Sequence, residues 1–231
     1  MNPIISRILV VVAHPDDEVI GCGGTLARLL QENKDIFVFI LGNGSFRYSL
    51  NNIEINKLKK EDAIRKEQCQ DSMKILGVKN YKIGTFVAGK FNQEPIVDVG
   101  KRIEEIINEF QPDTIFTHSN IDINTDHLIT HQAVIQATRP NVLNKIENVL
   151  SFELPSSTEW RFTNTFSPNV FINIEQTINI KIRAMNAYYT EIREYPFPRS
   201  DLGIRTLAGY RGMQSGLNYA EAFCLIRGIL I

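Results

Sequence analysis

RILVVVAHPDDEVIGCGGTLARLLQ, residues 7–31, carries three patterns in succession. From Arg7 to Ala13 runs an almost wholly apolar, β-branched segment of strand length, suited to a central strand covered on both faces. It is cut off by His14-Pro15-Asp16-Asp17-Glu18, five residues that would be out of place in a core without a task. After a glycine group, Gly21-Cys22-Gly23-Gly24, the helix formers Thr25 to Gln31 follow. Strand, polar turn and helix in this order open a crossover unit. The apolar run is too short for a membrane span and lacks a small-residue cleavage site after it, so neither an integral membrane segment nor a leader is expected there.

The same alternation continues outward. Asp35 to Leu41 (DIFVFIL) reads as a second buried strand, and Lys57 to Leu76 as a charged amphipathic helix stopped by Gly77. A short strand is expected at Tyr81 to Ile83. Val99, Ile103, Ile106 and Phe110 recur at helical spacing before Pro112, and Asp113 to Thr117 then reads as a buried strand. A polar loop, His118 to Asp126, leads into a helix from about Asp126 to Thr138, closed by Arg139-Pro140 because the residue before proline avoids helical geometry. The pattern predicts an α/β fold: a single Rossmann-like three-layer domain over residues 1–231 with a mainly parallel sheet. Beyond it, Val149 to Leu154, Val170 to Ile174 and Ala222 to Ile226 are strand-like, and Ile178, Ile182, Met185 and Tyr189 mark a helix. Their sheet order is not readable. Asn43 to Asn56 and Glu191 to Gly216 look loop-rich, and loops over a sheet edge often carry ligand contacts.

Composition narrows the function classes. With 43% hydrophobic and 22% charged residues the 231-residue chain resembles an average soluble domain with one substantial core. Its 25 basic and 26 acidic residues nearly cancel, so no global field recruits nucleic acid or an anionic membrane. Cys22, Cys69 and Cys224 are odd in number, widely spaced and without a CxxC pair, which fits free thiols in a reducing cytoplasm. Composition leaves a homo-oligomer open.

The polar pentad falls at the carboxyl end of a strand, where open α/β sheets bind ligands. An imidazole and a carboxylate three residues apart can turn toward one metal ion, and a neighbouring carboxylate held off the metal can act as a base. A second cluster, Asp122-Ile123-Asn124-Thr125-Asp126-His127-Leu128-Ile129-Thr130-His131, also follows a strand and runs into a helix. His127 and His131 share a helix face, so either is a candidate third ligand, and no HExxH is present. Taken singly, these groups have ordinary explanations: Asp122 and Asp126 suit a turn and a helix cap, and His-Pro-Asp-Asp suits a polar turn. Two such clusters at two strand ends favour a metal.

VVVAHPDDEVIGCGGTLARL (residues 10–29) and DINTDHLITHQAV (residues 122–134) together resemble the PIG-L/LmbE-like family of zinc-dependent N-deacetylases. The resemblance implies zinc held by His14, Asp17 and His127, with Asp16 as general base and His131 left to packing. Iron(II) or manganese(II) also suit such a donor set. Many members carry a histidine three residues before the ligand histidine, where this chain has Asn124; His118, in the same loop, is the alternative donor to a developing oxyanion. Asp126 is expected to orient its neighbours by a hydrogen bond. The implied substrate is an N-acetylated, GlcNAc-type amino sugar, nucleotide- or lipid-linked in some members, with non-sugar amides as the rival class. Arg65, Trp160, Arg199, Arg211 and Glu221 are the candidate substrate contacts, each weighed against a plain structural role: a solvated helix residue, a packing tryptophan, loop ion pairs. Two other readings are a nucleotide-binding module using the Gly21 to Gly24 turn, and a zinc-binding protein without catalysis.

Overall fold

The computed structural model describes residues 5–44, 55–140 and 146–229. The elements in chain order are β1 (Arg7–Val12), α1 (Asp17–Gln31), β2 (Asp35–Gly42), α2 (Ile55–Leu76), β3 (Asn80–Phe86), α3 (Ile96–Phe110), β4 (Thr114–His118), α4 (Thr125–Ala137), β5 (Asn148–Phe152), β6 (Val170–Asn173), α5 (Ile178–Ala187), α6 (Asp201–Ser215) and β7 (Ala220–Gly228). One sheet, ordered β3-β2-β1-β4-β5-β7-β6, joins all the strands. Its first five strands are parallel, and β7 runs antiparallel to both β5 and β6. The α/β three-layer expectation therefore holds, with an antiparallel edge that alternation could not foretell.

β1 shows why its sequence is apolar at every position. Ile8, Val10 and Val12 enter one core with residues of α1, α2, α5 and α6, while Leu9, Val11 and Ala13 enter a second core with residues of α3 and α4. Period-two alternation of side chains sends each set to its own face, and each fully buried Val, Leu or Ile contributes about 1.5–3 kcal/mol. The chain leaves β1 toward β2 and β3 on one side and later returns to β4 and β5 on the other. The loops after β1 and β4 thus diverge, and the crevice between them is the topological switch point.

α1 is broken. Cys22 has φ −145°, so the helix stops and restarts, leaving orphan carbonyls before the break and orphan N–H groups after it. A buried ion pair closes the gap. Lys181 Nζ donates to the Ile20 carbonyl (2.8 Å) and to Glu221 Oε1 (2.5 Å), while the Glu221 carboxylate accepts from the N–H groups of Gly24 (3.0 Å) and Thr25 (2.7 Å). Gly21 meets the Phe152 ring so closely that an added Cβ would lie 2.3 Å from a ring carbon, which accounts for a glycine where the helix crosses β5.

Four sequence expectations need correction. The stretch from Glu191 to Gly216 is not all loop: it contains α6, whose N-cap Ser200 accepts from Gly203 N and whose C-cap Gly216 takes φ 72°. In α5 the inward residue is Tyr188, not Tyr189, because the helix ends at Ala187 and Tyr188 adopts a non-helical ψ of 53° that changes the phase. β3 is longer than Tyr81 to Ile83, and α1 begins at Asp17, ahead of the glycines. Residues 45–54, within the expected Asn43 to Asn56 loop, lie outside the described residues. No helix among the described residues is long and apolar enough to cross a membrane.

Candidate functional site

Polar side chains from the ends of β1 and β4 meet in the crevice. His14, Asp17 and His127 are buried and offer ligand atoms that all lie within 4.8 Å of one another. Asp17 Oδ2 is 3.5 Å from His14 Nδ1 and 3.5 Å from His127 Nε2. Zinc–nitrogen and zinc–oxygen bonds of about 2.0–2.2 Å place tetrahedral donors roughly 3.4 Å apart, so this set fits one zinc-sized ion. Neither ring nitrogen of His127 has a hydrogen bond of good geometry among the described residues; Nδ1 has the Asp122 carboxylate as its ion-pair neighbour, and Nε2 faces Asp17 with room for a metal. His131 is elsewhere occupied: its Nδ1 lies 2.9 Å from the His118 carbonyl.

Carboxylates behind the ligands fix which ring nitrogen faces inward. Asp126 Oδ2 holds His14 Nε2 at 2.8 Å, which turns Nδ1 toward Asp17; the Asp126 carboxylate is itself held by the N–H groups of Gly89 (2.5 Å) and Phe91 (3.1 Å). Asp122 Oδ2 lies 3.1 Å from His127 Nδ1, which leaves Nε2 for the metal, and Asp122 is gripped by the hydroxyls of Ser157 and Thr158. Burial alone would lower the His14 pKa, but hydrogen bonds that the ring donates to the Asp126 and Asp17 carboxylates outweigh it and raise it to about 9. Burial would raise Asp17, yet His127, His118 and His14 around it hold it far below the usual carboxylate range. Replacing Asp126 by Asn removes the anion that orients His14 and should weaken metal affinity about 10–100-fold. Competition with a chromophoric chelator reads this directly, and unchanged affinity would refute the role.

Asp16 sits on strained backbone, φ 112° and ψ −29°, in the left-handed half of conformational space that non-glycine residues rarely enter. Its carboxylate enters an arginine frame. Arg199 Nη1 donates to Asp16 Oδ2 (2.9 Å) while Arg199 Nε donates to Ser156 Oγ (2.6 Å). Arg65 Nη1 is 3.8 Å from the same Asp16 oxygen and has no hydrogen-bond partner among the described residues; Arg65 Nη2 pairs with Glu191. Burial raises the Asp16 pKa to about 6 against the downward pull of Arg199, a value suited to proton transfer near neutrality.

Beneath it, Glu18 is buried at 0% exposure, accepting from the Asp16 N–H and the Tyr188 hydroxyl, and burial raises its pKa to about 8. A carboxyl whose folded pKa exceeds its unfolded value stabilises the fold fully below the unfolded pKa, and that stability is lost as pH rises through the folded value. Between pH 4.5 and 8 the wild type should therefore lose stability as pH rises, and Glu18→Gln should flatten that slope in urea melts. A variant as steep as wild type would rule the assignment out.

The other sequence candidates divide. His118 is fully buried, stacks on His127 at 4.2 Å and accepts the Ala13 N–H at Nε2 (2.9 Å). Burial and His127 lower its pKa to about 3, so it stays neutral and braces the ligand ring. Asn124 caps α4, its Oδ1 accepting from Asp126 N, which leaves the amide nitrogen as a donor. Glu221 and Arg211 both have partners within the chain. Glu221 closes the α1 break, and Arg211 makes a two-bond fork to Glu153 at 2.6 Å each. Trp160 is 46% exposed in a short 3-10 turn rather than packed onto the core. Sequence reasoning passed over Asp122 as a turn former and did not single out Glu191, Ser156 or Tyr188; the only signal was that Asp122 leads the second His/Asp cluster. The nucleotide-binding reading fails locally, because the N–H groups of Gly24 and Thr25 that would cradle phosphate are taken by Glu221.

A diacetylchitobiose deacetylase of Thermococcus kodakarensis is 27% identical over 98% of this chain and 85% of its own length. A probable N-acetyl-α-D-glucosaminyl L-malate deacetylase 2 of Bacillus cereus is 26% identical over 80% of this chain and 83% of its own. The solved N,N'-diacetylchitobiose deacetylase from Pyrococcus horikoshii superposes with a TM-score of 0.78 at 22% identity, covering 97% of this chain and 85% of that one, and shares the fold. The family model described as GlcNAc-PI de-N-acetylase matches residues 9–138, which span both His/Asp clusters and the strands that carry them. With more than half its length matched, and the three residues that could hold a metal within the match, the chain belongs to the PIG-L family of de-N-acetylases.

Proposed function

We propose that this chain is a zinc-dependent hydrolase that removes the acetyl group from the nitrogen of a GlcNAc-type amino sugar. The observation that carries the reading is a buried carboxylate, Asp16, held by Arg199 beside a three-residue His/Asp/His set that leaves a metal position open. A purely structural zinc site closes its fourth position and has no use for such a neighbour. The two deacetylase relatives are named for diacetylchitobiose and for GlcNAc-malate, which share an N-acetylated glucosamine unit.

His14, Asp17 and His127 would hold the ion, which when bound supplies Lewis acidity toward the amide carbonyl and acidifies water near neutral pH. Asp16 takes the proton from the attacking water while Arg199 fixes its carboxylate, and the same proton then passes to the departing amine, so water and amide become acetate and a free amine. Asn124 donates its amide N–H to the developing oxyanion in preference to His118, whose Nε2 accepts from Ala13. Arg65 offers to a sugar hydroxyl its Nη1, which has no hydrogen bond among the described residues. The free thiols of Cys22, Cys69 and Cys224 suit a reducing cytoplasm.

The test is acetate release by zinc-loaded protein from free, nucleotide-linked and lipid-linked N-acetyl sugars, with N-acetylated non-sugar amines alongside. Turnover restricted to the non-sugar amides would replace the sugar reading with an amidase, and no acetate from any member would sink both.

A further inference from the structure

Beyond the metal ligands lies a groove that the reaction does not use. It is lined by Phe162, Phe166, Phe171, Tyr210, Glu159 and Gln214 among others, and encloses about 880 Å³, within the range of about 300–1,000 Å³ usual for ligand clefts. A second hollow of about 300 Å³ shares Glu153, Glu159 and Tyr210 with it and is walled by Tyr195, Pro155 and Pro198. Those two prolines are the chain neighbours of Ser156 and Arg199, the pair bonded beside Asp16. The second hollow thus adjoins the arginine frame at one side and shares three lining residues with the larger groove at the other.

The wall is built in advance. Arg211 is 7% exposed, lies 5.6 Å from the Phe166 ring centre and 5.1 Å from that of Tyr210, and is locked by its fork to Glu153. Arg211 Nη1 donates to Gln214 Oε1 (2.8 Å), and Gln214 Nε2 donates to the Tyr210 hydroxyl (3.2 Å). Tyr210 and Phe162 nevertheless remain 49% and 87% exposed. Rigid aromatic faces beside planar amide and carboxylate groups match a pyranose, whose C–H faces stack on rings while its hydroxyls need bidentate partners. Charge points the same way: the lining sets Glu153 and Glu159 against Arg161 and Arg211, so the groove carries no net charge to hold a polyanion.

We infer that this groove binds a neutral oligosaccharide chain and presents one of its N-acetylated units to the metal centre. The binding claim stands on the groove itself; its coupling to turnover rests on the deacetylase reading above. Trp160, the chain's one tryptophan, lies between the groove residues Glu159 and Arg161 and serves as the reporter. Cellotetraose, which has no acetyl group to lose, should bind the full chain saturably in calorimetry and shift Trp160 emission, whereas glucose should not. Tyr210→Ala and Phe166→Ala should each weaken cellotetraose binding and raise KM for a four-unit N-acetylglucosamine chain about tenfold, leaving acetate release from single N-acetylglucosamine unchanged. Absent binding, equal effects on monomer and tetramer, or a dimer whose formation excludes the sugar would each overturn the inference. Cellotetraose binding without acetate release from any sugar would support the groove and reject the deacetylase reading.

Discussion

Asp16→Asn is expected to lower acetate release about 10²–10⁴-fold while leaving the metal content unchanged. The amide cannot accept a proton at neutral pH, so the loss falls on kcat. The ligands His14, Asp17 and His127 keep their mutual distances because Asp16 is not one of them. Asn is also the right replacement for the backbone: at φ 112° most side chains are strained, whereas Asn enters the left-handed region more readily than other non-glycine residues. Asp16→Ala would mix strain with lost chemistry. Arg199 retains its bond to Ser156 in the variant, so the frame around the site persists. Acetate assay and metal analysis of the same preparation decide the matter: near-normal turnover eliminates Asp16 as the base, and loss of metal would show that it supports the ligand set instead.

Lys181→Met should cost about 3–5 kcal/mol of stability, although Lys181 touches none of the metal ligands. Its ammonium is buried between the Ile20 carbonyl and Glu221, so removal leaves a buried carboxylate with two backbone N–H partners and no counter-charge. For a domain of this size the melting temperature should fall on the order of 10 °C. Adding Glu221→Gln to Lys181→Met should restore part of the loss, because a neutral amide oxygen can still accept from Gly24 or Thr25. If the single variant melts within about 2 °C of wild type, the pair is not what joins the two halves of α1.

How much the chain disclosed depended on whether pattern and chemistry coincided. At Arg7 to Glu18 they did: a two-sided apolar strand ended in ligand-type residues, and both strand and cluster stand where the sequence placed them. α6 was concealed by Gly203, Gly209 and Gly212, which depress helix propensity; at Gly212 a Cβ would lie 2.4 Å from the Leu217 carbonyl oxygen, so tertiary packing overrode the local preference. The arginine frame was harder still. Arg199 reaches Asp16 across 183 positions of sequence, and no periodicity links a loop residue to a partner that far away. Asp122 was visible but ambiguous, since an aspartate that opens a turn and one that orients a histidine look alike until the histidine is placed.

The arrangement divides labour along the polypeptide. The metal ligands and Asp16 all come from the stretch matched by the family model, residues 9–138, whereas the aromatic groove is built from residues beyond it. The two portions are joined by many polar contacts, and those that reach the candidate metal site are Asp122 with Ser157, Thr158 and Arg161, Asp16 with Arg199, Arg65 with Glu191, and Glu18 with Tyr188. Substitutions in the later portion can therefore change what is gripped while the bond-breaking machinery is inherited intact, provided those joints survive. For laboratory evolution, the productive library is residues 159–171 together with the outward face of α6, screened on longer or differently branched glycans.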